Sequence, residues 1–159
     1  MSGNEGNGRH LLISVHFHDG RYHSTGPWPP APARLFQALT AAAAQGAKLP
    51  AAADAGLRWL EGLPAPVLVA PPVRTARGYT AYVPNNDLDR AGGQIERAVE
   101  YWIPKSVRPR LFDATRPLRY LWPLAGHDEA PFADLRQVVL RLYRLGWGID
   151  MALSLIHIS

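Results

Sequence analysis

Three histidines and a scatter of arginines are the side chains with chemistry to offer. His16, His18 and His23 stand close together near the start of the chain, with Arg21 and Tyr22 among them. Imidazole titrates near neutral pH, so each suits general acid or base work, for instance in a metal-independent RNA cleavage. A histidine that is simply hydrogen-bonded is the commoner case, so catalysis stands second to binding. His16 and His18 are two apart, which on a strand puts them on one face. Two histidines make half of a tetrahedral metal site, and only Asp19 stands beside them, so no metal is expected. No cofactor is expected: the chain has no dinucleotide-type glycine loop, P-loop, HExxH or GxSxG elbow. Gly146-Trp147-Gly148 reads as a turn whose tryptophan would block close phosphate approach. Cysteine is absent, which excludes thiolate catalysis, disulfides and cysteine zinc sites.

Anion binding is the chemistry that remains. Seventeen Lys and Arg against thirteen Asp and Glu give a formal charge of +4, a mild bias toward phosphate-bearing partners. The expected phosphate contacts are Arg21, Arg34, Arg74, Arg77, Lys105, Arg108 and Arg110, with Tyr22, His23 and Tyr79 as stacking or base-edge groups. Arg34 falls in the first turn of an expected helix, where the dipole disfavours a cation, and that hints at an outside partner. Arg74 and Arg77 flank a turn ending at Gly78, next to Tyr79; a solvated hairpin tip is the competing reading. Residues 104–119 carry a formal +4, matching the excess of the whole chain.

Elements must position these groups. The stretch Gly20–Ala44 organises them: a basic turn, then a proline-stiffened linker (Pro27, Pro29, Pro30, Pro32), then an alanine-rich helix that starts where proline is tolerated. Before it, residues 1–9 read as disordered and Leu11–Phe17 as a strand, with Leu11, Ile13, Val15 and Phe17 on one face. The other face bears Leu12, Ser14, His16 and His18. The helix buries Leu35, Leu39, Ala42 and Ala43, and Gly46 is expected to end it. A second helix is expected over Ala52–Leu63. Val67–Ala70 and Tyr79–Val83 read as strands separated by PPVRTARG. Asn85–Phe112 shows no period and reads either as a basic arm or as a mobile insertion. Leu118–Leu124 predicts a strand, Phe132–Leu145 a helix capped by Gly146, and Trp147–Ala152 a last strand. The order is βαββαβ, a ferredoxin-like α+β domain over 10–152 of the type RNA recognition modules also use. At 159 residues one domain is expected. No signal peptide or membrane span is visible, so the expectation is a cytoplasmic protein without membrane contact.

The blocks GRYHST…PWPPAPARLFQAL, then Pro71, Pro72, Tyr82 and Pro84, then RLFDAT…PLRYLWP and LYRLGWGIDMA, together resemble a known family. It is the CRISPR-associated RAMP superfamily, in particular the N-terminal, Cas-five-like half of the Cas-five/Cas-six fusion of type I-G (formerly I-U) systems. The resemblance implies a ferredoxin-like fold that caps the five-prime handle of a guide RNA within an interference complex, in antiviral defence. It implies further complex subunits as partners, and an endoribonuclease in a C-terminal half that this length does not hold. Arg21, Tyr22 and His23 lie in a closely matching block. The final LSLIHIS does not resemble the family and reads as translated sequencing adapter, a non-native tail over 153–159. A third reading is a docking module whose tryptophans (Trp28, Trp59, Trp102, Trp122, Trp147) bind partner subunits, Trp102 foremost.

Overall fold

The computed structural model describes residues 8–45, 48–84, 102–124 and 129–159. Its centre is β1 (His10–Phe17), whose Leu11, Ile13 and Val15 are fully buried. That burial follows from having an antiparallel neighbour on each side. β8 (Leu118–Pro123) sets Trp122, Tyr120 and Leu118 opposite Leu11, Ile13 and Val15. β9 (Ala152–Ile158) sets Ile158, Ile156 and Ser154 opposite the same three residues. β3 (Val67–Val69) pairs with the far side of β8, giving the order β3-β8-β1-β9. Residues directly opposite share a face, so one face of this sheet is almost wholly apolar.

The helices α1 (Pro32–Ala43), α2 (Ala51–Gly62) and α3 (Phe132–Val139) cover that face. Leu35 and Leu39 of α1, Leu57 and Leu60 of α2 and Leu135, Val138 and Val139 of α3 join the strand residues in one core. Pro32 opens α1, as its missing N–H allows. The Ala44 amide closes its end on the Thr40 carbonyl; Gly46, expected to end it, lies outside the described residues. The other face of the sheet is open, with Val67 and Val69 of β3 and Leu153 and Leu155 of β9 exposed. His16 lies on this open face opposite Leu153, and His18 stands just beyond the strand end. No helix among the described residues is long and apolar enough to cross a membrane.

Three expectations about the elements change. First, Val67–Ala70 and Tyr79–Val83 do not neighbour each other. β5 (Tyr79–Pro84) leaves the main sheet and forms a ribbon with β6 (Trp102–Val107). The expected unstructured stretch therefore contains a strand. A small second sheet follows from β2 (Arg21–Tyr22), β7 (Arg110–Leu111) and β4 (Arg74–Thr75), in the order β2-β7-β4. Elements of two residues carry no readable period, and long-range pairing alone creates them. Residues 85–101 of the expected insertion, with its acidic opening, lie outside the described residues.

Second, α3 ends at Val139 and not at Leu145. Amides of Arg141 and Leu142 bond back only three residues, to Val138 and Val139, which tightens the chain out of the helix. The Ser154 hydroxyl donates to the same Val139 carbonyl at 2.6 Å, giving that acceptor a second donor and tying the helix end to β9. Leu142 and Leu145 are still buried, but from a turn. Third, the last strand lies at Ala152–Ile158, not at 147–152, and Ala152, Ser154 and Ile156 point inward. Residues 153–158, read as lying outside the domain, thus fill the sheet edge beside β1. Such pairing uses backbone groups and accepts any alternating segment, so it bears on the strand's position and not on its origin.

Candidate functional site

The turn between α3 and β9 builds the site. Tyr143 and Leu145 run back along 150–152: the Ala152 amide bonds to the Tyr143 carbonyl and the Leu145 amide to the Asp150 carbonyl. Gly146 at the bend has φ +120°, a left-handed conformation that favours glycine. A Cβ there would also collide with the Asp150 carboxylate and the Tyr22 ring. The bend swings Asp150 inward, where its side chain is only 1% exposed.

Asp150 gathers donors. Its oxygens accept the Trp147 amide at 2.7 Å, the His23 amide at 3.0 and 3.1 Å, and His23 Nδ1 at 2.7 Å. A carboxylate only accepts, so the His23 ring carries its proton on Nδ1. The opposite nitrogen, Nε2, lies 3.3 Å from the Tyr79 hydroxyl. Trp147 stacks on one side of the His23 ring, 6.0 Å away and 26° from parallel. On the indole of Trp147 sits the Lys105 ammonium, 4.4 Å from the ring centroid, a cation–π contact.

Two clefts share this turn. The first, of 330 Å³, is lined by His18, Asp19, Arg21, His23, Tyr79 and the turn's 149–151. The second, of 370 Å³, lies between α1 and the turn, with Arg34 and Gln37 on one side and Arg144, Gly146 and Gly148 on the other. Its floor is alanine, so charge enters it only from the two arginines. Thus a turn expected to keep phosphate at a distance through Gly146-Trp147-Gly148 lends Gly146 and Gly148 to the second cleft and residues 149–151 to the first.

The expected binding residues divide accordingly. Arg21, His23, Tyr79, Lys105 and Arg34 come together around the turn. Arg21 is exposed and pairs with Asp19 at 2.8 Å, an arrangement that costs little to exchange for another anion. Arg74 and Arg21 lie opposite Leu111 on either side, hence on one face of the small sheet, while Arg110 donates to the Thr75 hydroxyl at 2.9 Å. Arg77 and Arg108 are exposed beside Gly78 and line neither cleft. Tyr22 is a correction: it is 2% exposed, packed among Phe17 and Trp28, and offers no stacking face. Burial pushes its phenol above the usual range, opposed by a Ser24 hydrogen bond and the Arg34 charge. His23, expected to stack on a base, is buried and spoken for by Asp150. Sequence reasoning missed Asp150 and Arg144. The former sits 127 positions from its histidine, a separation without local signal; the latter reads as an ordinary outward helix residue. Among the described residues no group of three metal-ligating side chains forms.

Fold and clefts define a mixed α/β protein: an antiparallel sheet under helices, with two arginine-lined clefts around one turn. The chain belongs to the GSU0054 family of CRISPR-associated proteins, whose family model matches residues 4–156. Membership points to a role in CRISPR defence. Among solved structures it is similar to a CRISPR protein from Archaeoglobus fulgidus, with a TM-score of 0.48 and 13% identity over 95% of this chain. The chain spans 61% of that protein's length. A search of curated proteins matched none.

Proposed function

We propose that the chain is a guide-RNA-binding subunit of a type I CRISPR interference complex. In its finer form, it is the five-prime-handle-binding part of a type I-G Cas-five/Cas-six fusion, a RAMP-superfamily protein that works with other complex subunits. The observation that carries this reading is the gathering of Arg21, Lys105, Arg34 and Arg144 about the 146–151 turn. The sheet order β3-β8-β1-β9, with helices after β1 and β8, supports the ferredoxin-like arrangement expected from the βαββαβ pattern. Cationic clefts that follow one turn suit consecutive phosphates of a single strand, since such contacts position a backbone without reading its sequence. In the full chain, Arg34→Ala with Arg144→Ala should flatten log K against log salt for a single-stranded RNA by about 1.4 units. An unchanged slope would take the second cleft out of the interface.

Two other readings draw on separate observations. Cleavage narrows to the first cleft, because His18 and His23 line it and His16 does not; breakdown of a repeat-hairpin RNA under chelator, lost in His23→Ala, would favour it. Docking of partner subunits narrows to the β5–β6 ribbon, where Tyr82, Trp102 and Ile103 are exposed. Trp122 is buried and Trp28 is tied to the Pro71 carbonyl at 3.0 Å, so neither serves a partner. Complex assembly without RNA, lost in Trp102→Ala, is the matching observation.

A further inference from the structure

We infer that Asp150, His23 and Tyr79 make the first cleft a ribose subsite that accepts a hydrogen bond from a 2′-hydroxyl and thereby tells RNA from DNA. The inference rests on the RNA-binding reading and gives one of its clefts a specific task. Each link is geometric. Asp150 fixes the proton of His23 on Nδ1 at 2.7 Å and holds the backbone of the same residue through its amide. The ring is therefore held in one orientation, and with the proton on Nδ1 alone Nε2 is an acceptor turned toward Tyr79. Tyr79 is the donor within reach, at 3.3 Å. With its proton committed inward, the phenol oxygen turns lone pairs toward the cleft and becomes an acceptor of set direction.

A ribose 2′-hydroxyl can donate to such a group, and a deoxyribose has nothing to offer it; this atom is how a site separates the two nucleic acids. The rest of the cleft fits a nucleotide. Its 330 Å³ lies at the lower end of ligand-site sizes. Arg21 stands in the same cleft, its pair with Asp19 more than half exposed on both sides, and can take the phosphate. Asp19 could also accept a hydroxyl, but nothing among its own contacts holds it in one direction except Arg21, which a phosphate would draw away. His18 is exposed at the rim and lacks the carboxylate that orients His23.

The experiment measures affinity of the full chain for single-stranded RNA and for DNA of the same sequence, by fluorescence anisotropy at one salt concentration. Wild type should prefer RNA. Tyr79→Phe keeps the ring at a half-exposed position, and a melting curve taken alongside reads separately what the lost bond to His23 costs the fold. The variant should weaken RNA binding by about five-fold, the worth of one hydrogen bond, and leave DNA binding as it was. Arg21→Ala should weaken both alike, because a phosphate contact is blind to the sugar. The inference is overturned if Tyr79→Phe leaves RNA binding unchanged or weakens RNA and DNA equally. Failure of the wild type to bind either strand would instead sink the RNA-binding reading beneath it.

Discussion

Asp150 ties the β2 segment to the turn before β9, and its removal has a calculable consequence. Three N–H groups point at its carboxylate from two distant parts of the chain: His23 N, His23 Nδ1 and Trp147 N. Buried donors stripped of their acceptor keep the full desolvation penalty. Asp150→Ala should therefore cost about 3 kcal/mol or more of unfolding free energy, read from urea midpoints. Asp150→Asn, which keeps one accepting oxygen, should fall between. A loss below about 1 kcal/mol would mean that water reaches these donors after all. This residue also marks the limit of what the sequence told at atomic scale. Arg21, Arg34, Lys105 and Tyr79 could be picked out from charge, exposure and neighbours. Asp150 could not, because its value comes from a partner brought near by folding. Tyr22 was misjudged for the same reason: beside Arg21 and His23 it looks exposed, and only the crossing of Phe17 and Trp28 over it encloses it.

At the scale of elements, periodicity was informative where one face is buried against a single layer. β1, β8 and α1 are such elements, and their inward residues match the expected ones. It failed where pairing is distant, as in β2, β4 and β7, and where two mechanisms bury the same residues, as at Leu142 and Leu145. The contact between α2 and α3 shows how close such layers come. A Cβ on Gly56 would stand 2.5 Å from the Leu135 amide nitrogen and 2.8 Å from its Cα, both backbone atoms that cannot swing aside. Alanine would otherwise gain about 1 kcal/mol over glycine inside a helix. The steric term should win, since forcing a methyl into a packed interface costs about 1–3 kcal/mol and the obstacle here is rigid. Gly56→Ala should lower the melting temperature, whereas Gly62→Ala, at the helix end with open space around its Cβ, should not. Equal melting curves for the two variants would show that α2 and α3 can slide apart without loss.

For the molecule as a whole, two buried phenols link the sheet, the proline linker and the Gly146 bend, and they make stability depend on pH from the alkaline side. Tyr120 of β8 donates to the Pro30 carbonyl at 2.8 Å, pinning the linker that aims α1. Tyr22 lies under the Gly146 bend. Burial raises the pKa of both, and the charge of a deprotonated Tyr22 would raise Tyr120 further. An unfolded tyrosine loses its proton near pH 10. Below that the phenols are protonated in both states and stability does not depend on them. Above it the unfolded chain holds fewer protons than the folded one, so unfolding free energy falls as pH rises. Tyr120, the more strongly shifted of the two, brings the slope toward about 1.4 kcal/mol per pH unit above pH 10, and Tyr22 adds to it in the same direction. Tyr120→Phe should cost about 1 kcal/mol at pH 8 through the lost bond to Pro30, yet flatten most of the alkaline slope. Urea titrations at pH 8, 10 and 11 separate the outcomes. A wild-type stability that stays level through this range would mean the phenols ionise in place, and the packing of β8 against the linker would have to be looser than the geometry allows.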